Sequence, residues 1–352
     1  MRPHHSPDTS DGLAPDATGA AAERPCLVIT GSVATDHLTT FPGLFTEQLV
    51  PDRLDKVSLS FLVDELEVRR GGVAANISYG LGGLGLRPVL VGAVGADFAE
   101  YEVWLKEHGV DTGSVRVSTR RETARFMCTT DRAQNQIASF YAGAMAEAAD
   151  IDLHEVFSRT GTPDLVLVSP NDPGAMLRHT AQCAAAGVSF AADPSQQLPR
   201  LDRAEARRLV TGARWLFTND YEGSLLRELT GWSTGEVLSQ VGGWVTTLGA
   251  EGVRLERADQ DPVHVPAVPV ELVVDPTGGG DAFRAGFLAA AGQGLDAVTG
   301  ARLGCAMAAT ALEQVGPQGY EVVPGALLER VSRGYGPESA ALLARAGLPD
   351  AP

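Results

Sequence analysis

The stretch Val274–Leu288, VDPTGGGDAFRAGFL, decides how the rest of the sequence is interpreted. Three consecutive glycines at 278–280 come directly before Asp281 and an apolar run with helical spacing. Because glycine has no Cβ, the backbone can turn sharply there and bring its N–H groups close to a ligand. A glycine turn that begins a helix presents unpaired N–H groups and the positive end of the helix dipole. The stretch therefore predicts an anion site.

Asp281 follows the glycines in the first turn of the predicted helix. A carboxylate beside an anion site would repel a phosphate, so it is a poor phosphate ligand. It is well placed to accept a proton from a hydroxyl that attacks the phosphate. The alternative is a structural helix start with Asp as a stabilising first-turn residue. The glycines alone leave both interpretations open, because short motifs produce many false matches.

Composition limits the class of protein. The 352 residues are enough for one large α/β domain with an appendage or for two domains. A content of 44% apolar and 20% charged residues is typical of globular proteins. The net charge of −16 argues against binding to nucleic acid and to anionic membrane surfaces. A nucleotide ligand stays possible, because it needs only local dipoles and a metal ion.

The cysteines and the ends of the chain bear on its location. Four cysteines lie far apart without a CxxC pair, which argues against disulfides and zinc and predicts a reducing, cytoplasmic environment. Met1–Arg24 is polar and has no apolar core, so we expect a disordered leader rather than a secretory signal. No apolar run reaches membrane-spanning length. Residues 341–352 are expected to form a frayed tail.

From Leu165 onward, predicted strands alternate regularly with predicted helices. Such alternation indicates an α/β fold with a doubly wound, mainly parallel sheet and helices on both faces. Earlier strands are predicted at Cys26–Thr30 and Val89–Val94, and a helix at Phe98–His108. The predicted elements after Leu165 are Leu165–Val168, Pro173–Ala186, Ser189–Ala192, Arg203–Thr211, Trp215–Thr218, Tyr221–Leu229 and Trp244–Leu248.

Polar residues near the first strand are candidate ligand contacts. Asp36 comes after that strand, where open α/β sheets bind ligands, although an Asp that caps a turn is the simpler interpretation. Gly71 and Gly72 precede a predicted helix, and Asn76 falls in its first turns. There Asn76 could hydrogen-bond a substrate hydroxyl or simply face solvent. The GxGxxG match at 80–85 is no dinucleotide site, because it lies within this helix and precedes a strand.

Two stretches, at about 37–70 and 120–143, interrupt the α/β alternation. Phe61–Arg69 resembles an exposed strand, and Thr123–Thr130 with Ile137–Ala142 predicts a hairpin. One interpretation is a small β-sheet lid, hinged near Gly71 and Gly72, that closes over the ligand and excludes water. The other is that these strands extend the main sheet and never move. A lid would have open edges and exposed aromatics, which a second subunit could cover in a homodimer.

The string DPTGGGDAF at 275–283 closely resembles the signature D-T-x-G-A-G-D-x-F of the ribokinase-like (PfkB) family of sugar and nucleoside kinases. Pro276 replaces the usual Thr and Gly279 the usual Ala, and neither change removes an N–H from the glycine turn. Gly71-Gly72…Asn76, NxxE at 219–222 and TLGxxG at 247–252 follow in the family's order. The resemblance covers about residues 26–330 and implies a ribokinase-like kinase domain at 25–340.

A closer resemblance is to bacterial adenosine kinases of this family, at Gly31–Leu38, Lys56–Asp64 and Ala191–Leu198. It implies transfer of a phosphoryl group from ATP, with Mg²⁺, to the 5′-hydroxyl of adenosine, giving AMP in purine salvage. One alternative is a kinase of the same family for another nucleoside or a sugar. The other is a non-catalytic nucleoside- or sugar-binding protein, against which the intact Asp281 and glycine turn weigh.

The resemblance also assigns roles to single residues. For catalysis it implies that Asp281 is the base. It implies that the anion hole is formed by Gly278, Gly279 and Gly280. For the ribose hydroxyls it implies Asp36, Gly72 and Asn76. For the border of the nucleoside pocket it implies Ser32, Ser60, Gln196 and Gln197. For the aromatic walls of that pocket, which suit a purine face, it implies Phe126 and Phe140.

The implied nucleotide site lies at the ends of later strands. For ATP the resemblance implies Asn219, Thr247, Gly249, Gly252 and Gly280. Asn219 and Glu222 would organise the magnesium–phosphate network, partly through water, because Mg²⁺ keeps several of its waters.

Overall fold

The computed structural model of the chain describes residues 24–49 and 59–349. Nearly all of the predicted leader, and the stretch that includes Lys56, lie outside the described residues. None of the described helices combines the length and apolar character needed to span a bilayer.

Three sheets and a set of helices make up the described chain. The strands are β1 (Leu27–Thr30), β2 (Ala34–Phe41), β3 (Glu65–Gly71), β4 (Val89–Val91), β5 (Ala93–Val94), β6 (Arg116–Val117), β7 (Ala124–Asp131), β8 (Gln136–Tyr141), β9 (Leu165–Val168), β10 (Phe190–Ala192), β11 (Trp215–Asn219), β12 (Trp244–Thr247), β13 (Val253–Glu256) and β14 (Val263–Val265). The α-helices are α1 (Phe45–Gln48), α2 (Val73–Gly83), α3 (Ala99–Glu107), α4 (Leu153–Thr160), α5 (Pro173–Ala186), α6 (Arg203–Val210), α7 (Asp220–Thr230), α8 (Thr234–Gln240), α9 (Gly279–Gly292), α10 (Ala297–Leu312), α11 (Pro324–Tyr335) and α12 (Pro337–Arg345).

The main sheet has eight strands in the order β14-β13-β12-β11-β10-β9-β1-β4. The strands from β4 to β12 in this order run parallel, and the two pairings at the other end, β12–β13 and β13–β14, are antiparallel. The central strands are continuous apolar runs, LVIT in β1 and LVLV in β9, because a parallel sheet is covered on both faces. The predicted doubly wound α/β fold is confirmed. The antiparallel edge strands β13 and β14 were not predicted.

Alternate residues of the central strands enter two separate cores. Leu27 and Ile29 of β1 pack in one core with side chains of α2, α9 and α10. Val28, on the other face of the same strand, packs in a second core with side chains of α4 to α8. Helices therefore cover both faces of the sheet, and the carboxyl ends of its strands meet at one edge, where ligands bind in folds of this kind.

The stretches that interrupt the alternation form a separate four-stranded sheet, in the order β3-β2-β7-β8. They do not extend the main sheet.

Two sequence expectations are corrected here. Asp36 lies within strand β2 rather than in a loop after β1, and the strand expected at Phe61–Arg69 runs from Glu65 to Gly71. The sequence of β2, ATDHLTTF, shows little apolar alternation, so its own pattern does not predict a strand. The strand forms because neighbouring strands of the sheet pair with it.

The end of the chain differs from the expected frayed tail. Helix α12 extends to Arg345, and Leu343 and Leu348 are completely buried in the larger core. The helix has only nine residues. This is shorter than the window of about 11–18 residues over which apolar periodicity indicates a packed helix.

Helix α9, which carries the glycine-rich motif at its start, is held in place by close packing against α10. A Cβ added at Gly286 would lie 2.8 Å from the Cα of Gly304, so the two helices approach closely at glycines. The position of the motif is therefore fixed by the core rather than by a flexible loop.

Candidate active site

The glycine turn has the geometry that its sequence predicts. Gly278 adopts a left-handed conformation with φ +81°, and helix α9 begins at the next residue. A Cβ at Gly278 would lie 2.5 Å from the Cβ of Pro317, so glycine is needed here for both conformation and space. The first N–H groups of a helix have no partner within it, and that of Gly279 makes only a long hydrogen bond, 3.4 Å, to the carbonyl of Pro276. The turn therefore presents donors for an anion.

Asp281 lies at this turn and is held by a neighbouring helix. The side-chain amide of Asn76, on α2, donates a hydrogen bond of 2.8 Å to Oδ2 of Asp281. Asn76 is only 6% exposed, so the expectation of a solvent-facing residue is wrong. Burial raises the pKa of Asp281 to about 6, while the Asn76 hydrogen bond and the charge of Arg284 act in the opposite direction. A carboxyl with a pKa near the working pH suits a general base.

A buried ion pair supports the same helix, and sequence reasoning missed it. The Arg284 guanidinium contacts Asp193 with Nε–Oδ2 and Nη2–Oδ1 distances of 2.6 and 2.8 Å. Nη1 of Arg284 also donates to the carbonyl of Gly280 at 3.0 Å. Asp193 follows strand β10, so this pair ties the first turn of α9 to the edge of the main sheet. In the sequence, Arg284 looked like an ordinary member of a mostly apolar helix.

One face of the four-stranded sheet carries a row of candidate ligand contacts. Arg69, Asp36, Phe126 and Phe140 occupy directly paired positions on β3, β2, β7 and β8. Paired residues point to the same face of a sheet, so the predicted ribose contact and both predicted aromatic walls share one surface. Burial raises the pKa of Asp36 to about 6, and the charge of Arg69 lowers it in part.

Arg69 connects this face to the glycine-rich motif. Its Nη1 lies 2.7 Å from Oδ2 of Asp275, three residues before Gly278. Asp275 also accepts hydrogen bonds from the N–H groups of Thr277 and Gly316, at 2.9 and 3.0 Å. The face that carries Asp36 is therefore the face turned toward the anion turn. No sequence motif indicates Arg69, because its contact with Asp275 joins positions 206 residues apart.

Two of the remaining nucleoside candidates lie where β1, β2 and α2 meet. Gly72 has φ +93°, and a Cβ there would lie 2.6 Å from the backbone N of Ala34. The Ser32 hydroxyl accepts a hydrogen bond from the N–H of Val73 at 3.0 Å and so caps α2. Ser32 and Gly72 therefore bring β1, β2 and α2 together.

The other three nucleoside candidates differ in position. Ser60 is exposed in the segment that leads to β3. Gln196 and Gln197 lie in a 3₁₀ helix at Ser195–Arg200, but Gln196 is exposed while Gln197 is buried and accepts a hydrogen bond from Arg200 at 3.3 Å. The expected pair is therefore split between two environments.

The predicted nucleotide residues lie at the ends of β11 and β12. Asn219 and Glu222 form a capping box at the start of α7, in which each side chain accepts a hydrogen bond from the other residue's N–H, at 2.7 and 2.8 Å. Burial raises the pKa of Glu222, and the nearby Asp193 carboxylate contributes to this. Thr247 is paired with Asn219 in the sheet. These candidates therefore lie together at the edge of the main sheet where β11 and β12 end.

The two glycines after β12 differ in what surrounds them. Gly249 is exposed with φ +60°, and an added Cβ would meet nothing within 4 Å. At Gly252 a Cβ would lie 2.2 Å from the carbonyl of Val265, so that glycine is required by packing of the chain. Of these two glycines, only Gly249 has open surroundings in which a ligand could contact it.

The donor set can be compared with the needs of Mg²⁺. Among the described residues, no group of three or more His, Cys, Asp and Glu side chains could hold a metal ion. Mg²⁺ with ATP needs only one or two carboxylates, because phosphates and water fill its other positions. Glu222, whose half-buried carboxyl would be stabilised as an anion by a nearby cation, fits such an arrangement.

Residues 32–322 match the model of the family described as pfkB family carbohydrate kinase. The chain belongs to this family. A nucleoside kinase of Methanothermobacter thermautotrophicus is 30% identical over 290 residues, which cover 82% of this chain and 92% of the relative. The solved structure of Burkholderia thailandensis nucleoside kinase in complex with inosine is 36% identical with a TM-score of 0.78, and the match covers 88% of this chain and 98% of that chain.

Another solved structure supports the fold of this PfkB kinase. Methanocaldococcus jannaschii nucleoside kinase, described as an archaeal member of the ribokinase family, matches with a TM-score of 0.75 and 25% identity. The match covers 87% of this chain and 98% of that chain. The resemblance seen at 275–283 is thus confirmed at the level of family and fold, with Pro276 and Gly279 as this kinase's own variants of the signature.

Substitution of Gly278 tests the anion turn. Gly278→Ala should lower the rate of phosphoryl transfer by about 10²–10³-fold, as for loss of a donor to a transition-state anion, because the new Cβ collides with Pro317. Gly294→Ala is the matched control, because Gly294 has φ +73° and nothing within 4 Å of an added Cβ. It should cost about 1 kcal/mol in stability and leave the rate unchanged. A parent-like rate for Gly278→Ala in a steady-state kinase assay would contradict the assignment.

Proposed function

We propose that this PfkB kinase transfers the γ-phosphoryl group of ATP to the 5′-hydroxyl of adenosine, giving ADP and AMP. The observation that carries the proposal is the position of Asp281. It lies at the glycine turn, its pKa is raised to about 6, and it is close enough to Asp36 on the facing sheet for the two charges to interact. A base, an anion turn and a ribose contact therefore share one cleft.

The reaction uses these groups in defined roles. The nucleoside O5′ attacks the γ-phosphorus, so an O5′–P bond forms while the bond from phosphorus to the bridging oxygen of ADP breaks. The hydroxyl proton passes to the carboxylate of Asp281. The N–H groups of Gly278, Gly279 and Gly280 hold the charge on the transferred group. When bound, Mg²⁺ neutralises phosphate charge, and Asn219 and Glu222 would orient its waters.

Recognition of the nucleoside falls to the four-stranded sheet. An ionised Asp36 accepts hydrogen bonds from two ribose hydroxyls, and binding of these donors would lower its raised pKa. Phe126 and Phe140 lie directly opposite each other on neighbouring strands and offer flat apolar surface to a base. Ser32, Ser60, Gly72, Gln196 and Gln197 complete the proposed pocket. Thr247 and Gly249 belong to the proposed ATP site. Gly252 contributes to that site by allowing the backbone beside it to pack closely.

The related proteins support a nucleoside rather than a sugar as substrate. The relatives named above are called nucleoside kinases, and one was solved with inosine and also in a form described as its complex with ADP-inosine. Inosine is therefore the second candidate substrate. Adenosine and inosine differ only at the purine six-position, so the ribose and phosphate roles are the same for both.

Activity should depend on the ionised form of Asp281. Asp281→Asn should lower kcat for adenosine by about 10²–10⁴-fold, the usual contribution of a general base, while nucleoside binding is largely retained. In the parent, kcat/KM should fall as the pH drops below about 6, because protonation of Asp281 removes the proton acceptor and protonation of Asp36 weakens nucleoside binding. The measurement is ATP-dependent phosphorylation of a panel that holds adenosine, inosine, guanosine, cytidine and ribose.

The outcomes of this assay separate the alternatives. A preference for inosine or another nucleoside with the same loss in Asp281→Asn keeps the mechanism and corrects the substrate. Ribose as the best acceptor would reject a nucleoside kinase. A kcat for Asp281→Asn within a few-fold of the parent would reject Asp281 as the base.

We also propose that the four-stranded sheet closes as a lid over the nucleoside. Arg69 contacts the motif through a salt bridge that opening would break, and Gly72 at φ +93° provides the hinge. The sheet face opposite Asp36 exposes five large apolar side chains, at Leu66, Val68, Met127, Ile137 and Tyr141. A second copy of the chain is the proposed cover for this face.

Hydrogen exchange tests the lid. Adenosine should slow amide exchange in 65–71 and 124–141 more than in β9, because closure protects the lid while the core strand is already protected. Equal protection of both regions, or none, would contradict a closing lid. Light scattering after size-exclusion chromatography checks the homodimer, and a monomer at micromolar concentration would reject the second copy.

A further inference from the structure

Two residues that no motif indicated lie behind the proposed base. The indole N–H of Trp104, on α3, donates to Oε1 of Gln318 at 3.1 Å, and Nε2 of Gln318 donates to Oδ1 of Asn76 at 2.9 Å. Asn76 in turn donates from Nδ2 to Asp281. A continuous chain of hydrogen bonds therefore runs from Trp104 through two amides to the carboxylate.

The direction of this chain is fixed at its outer end. An indole N–H can only donate, so the atom of Gln318 that faces Trp104 must be its carbonyl oxygen. The NH₂ group of Gln318 then faces Asn76 and requires an acceptor there. This places the carbonyl oxygen of Asn76 toward Gln318 and its NH₂ group toward Asp281.

A second anchor gives the same orientation independently. The Tyr101 hydroxyl donates to the backbone carbonyl of Gly71 at 3.0 Å. Since a carbonyl can only accept, the proton of Tyr101 is engaged there, and its oxygen is left to accept from Nε2 of Gln318. Both neighbours of Gln318 thus hold its amide in one orientation.

Packing holds the side chains that form this series of hydrogen bonds. Gln318 is 7% exposed and Tyr101 is 5% exposed. The Trp104 ring has the His108 ring 4.1 Å away and the guanidinium of Arg70, from the lid strand β3, 4.5 Å away. An amide in such surroundings cannot turn without breaking several contacts.

We propose that Trp104 and Gln318 are positioning residues that make the NH₂ group of Asn76, rather than its carbonyl oxygen, face Asp281. This inference deepens the proposed function and rests on Asp281 being its base. If the Asn76 amide turned around, its carbonyl oxygen would face the carboxyl group. Only a protonated Asp281 could then form the hydrogen bond, and a protonated carboxyl cannot accept the hydroxyl proton.

The other groups around Asp281 do not take part in this selection. Arg284 lowers the pKa of Asp281, whereas burial and the carboxylates of Asp193 and Asp36 raise it. Tyr101 and Tyr320 are near enough to interact electrostatically with Asp281, and burial raises the pKa of both phenols, so they stay neutral over the range in which Asp281 titrates. The Asn76 amide is thus the neutral neighbour whose orientation decides which form of Asp281 is favoured.

The experiment follows the pKa of Asp281 directly. Protein labelled with ¹³C at aspartate Cγ is titrated by NMR, and the Asp281 signal is assigned by its loss in Asp281→Asn. Gln318→Met removes both hydrogen bonds at similar volume and should raise the pKa of Asp281 by about half to one unit. Trp104→Phe should raise it in the same direction, and carries the test if Gln318→Met does not fold. Val103→Ala, at a neighbouring exposed position on α3, should leave the pKa unchanged.

A double-mutant cycle separates positioning from a general structural effect. Asn76→Ala alone should raise the pKa most, and Gln318→Met should add nothing in the Asn76→Ala background, because its effect passes through that amide. An unchanged pKa in folded Gln318→Met and Trp104→Phe, or a shift that persists without Asn76, would overturn the proposal.

The kinetic profile then connects the result to catalysis. In both variants the acid limb of kcat for adenosine should move to higher pH, in the direction of the shift in the pKa of Asp281, with kcat near parent values above pH 8. A parent that shows the predicted NMR titration but phosphorylates no nucleoside would reject the proposed function and leave the positioning roles standing.

Discussion

The buried ion pair between Arg284 and Asp193 is the interaction on which the site depends. Both side chains are almost completely buried, and Arg284 also holds the carbonyl of Gly280. Removal of one partner from such a pair leaves an uncompensated buried charge and costs about 3–5 kcal/mol. The pair joins the end of strand β10 to the first turn of α9, so the anion turn, Asp281 and the main sheet form one rigid unit.

The same pair shapes the electrostatics of the cleft. Asp281, Asp36 and Glu222 all have raised pKa values, chiefly because burial disfavours their charged forms. Arg284 opposes this at Asp281, and Arg69 opposes it at Asp36. A cleft that gathers carboxylates around one buried cation suits a substrate that brings its own hydroxyl donors and its own metal–phosphate charge.

The sequence predicted the parts that depend on local chemistry. The glycines of 278–280 and the apolar runs of the central strands each act through neighbouring residues, so their spacing alone predicted the turn at the start of α9 and the parallel sheet. Strand β2 was missed because its polar residues gain their partners from distant strands. Helix α12 was missed because its nine residues are too few for the apolar period to be recognised.

The supporting residues of the site could not be predicted for a related reason. Arg284 and Asp193 are 91 residues apart, and Gln318 and Asn76 are 242 residues apart. Nothing near Arg69 in the sequence distinguishes it from other surface arginines. Such contacts exist only once distant strands, helices and loops have assembled, and a single sequence carries no local signal for them.

The central claim is that a nucleoside binds in this cleft with its 5′-hydroxyl at Asp281. A crystal structure of the protein with adenosine and a non-hydrolysable ATP analogue tests it most directly. The account predicts O5′ at roughly 2.6–3.2 Å from a carboxylate oxygen of Asp281, the ribose hydroxyls on Asp36, and the γ-phosphate at the N–H groups of 278–280. A nucleoside bound elsewhere, or one whose O5′ points away from Asp281, would contradict it.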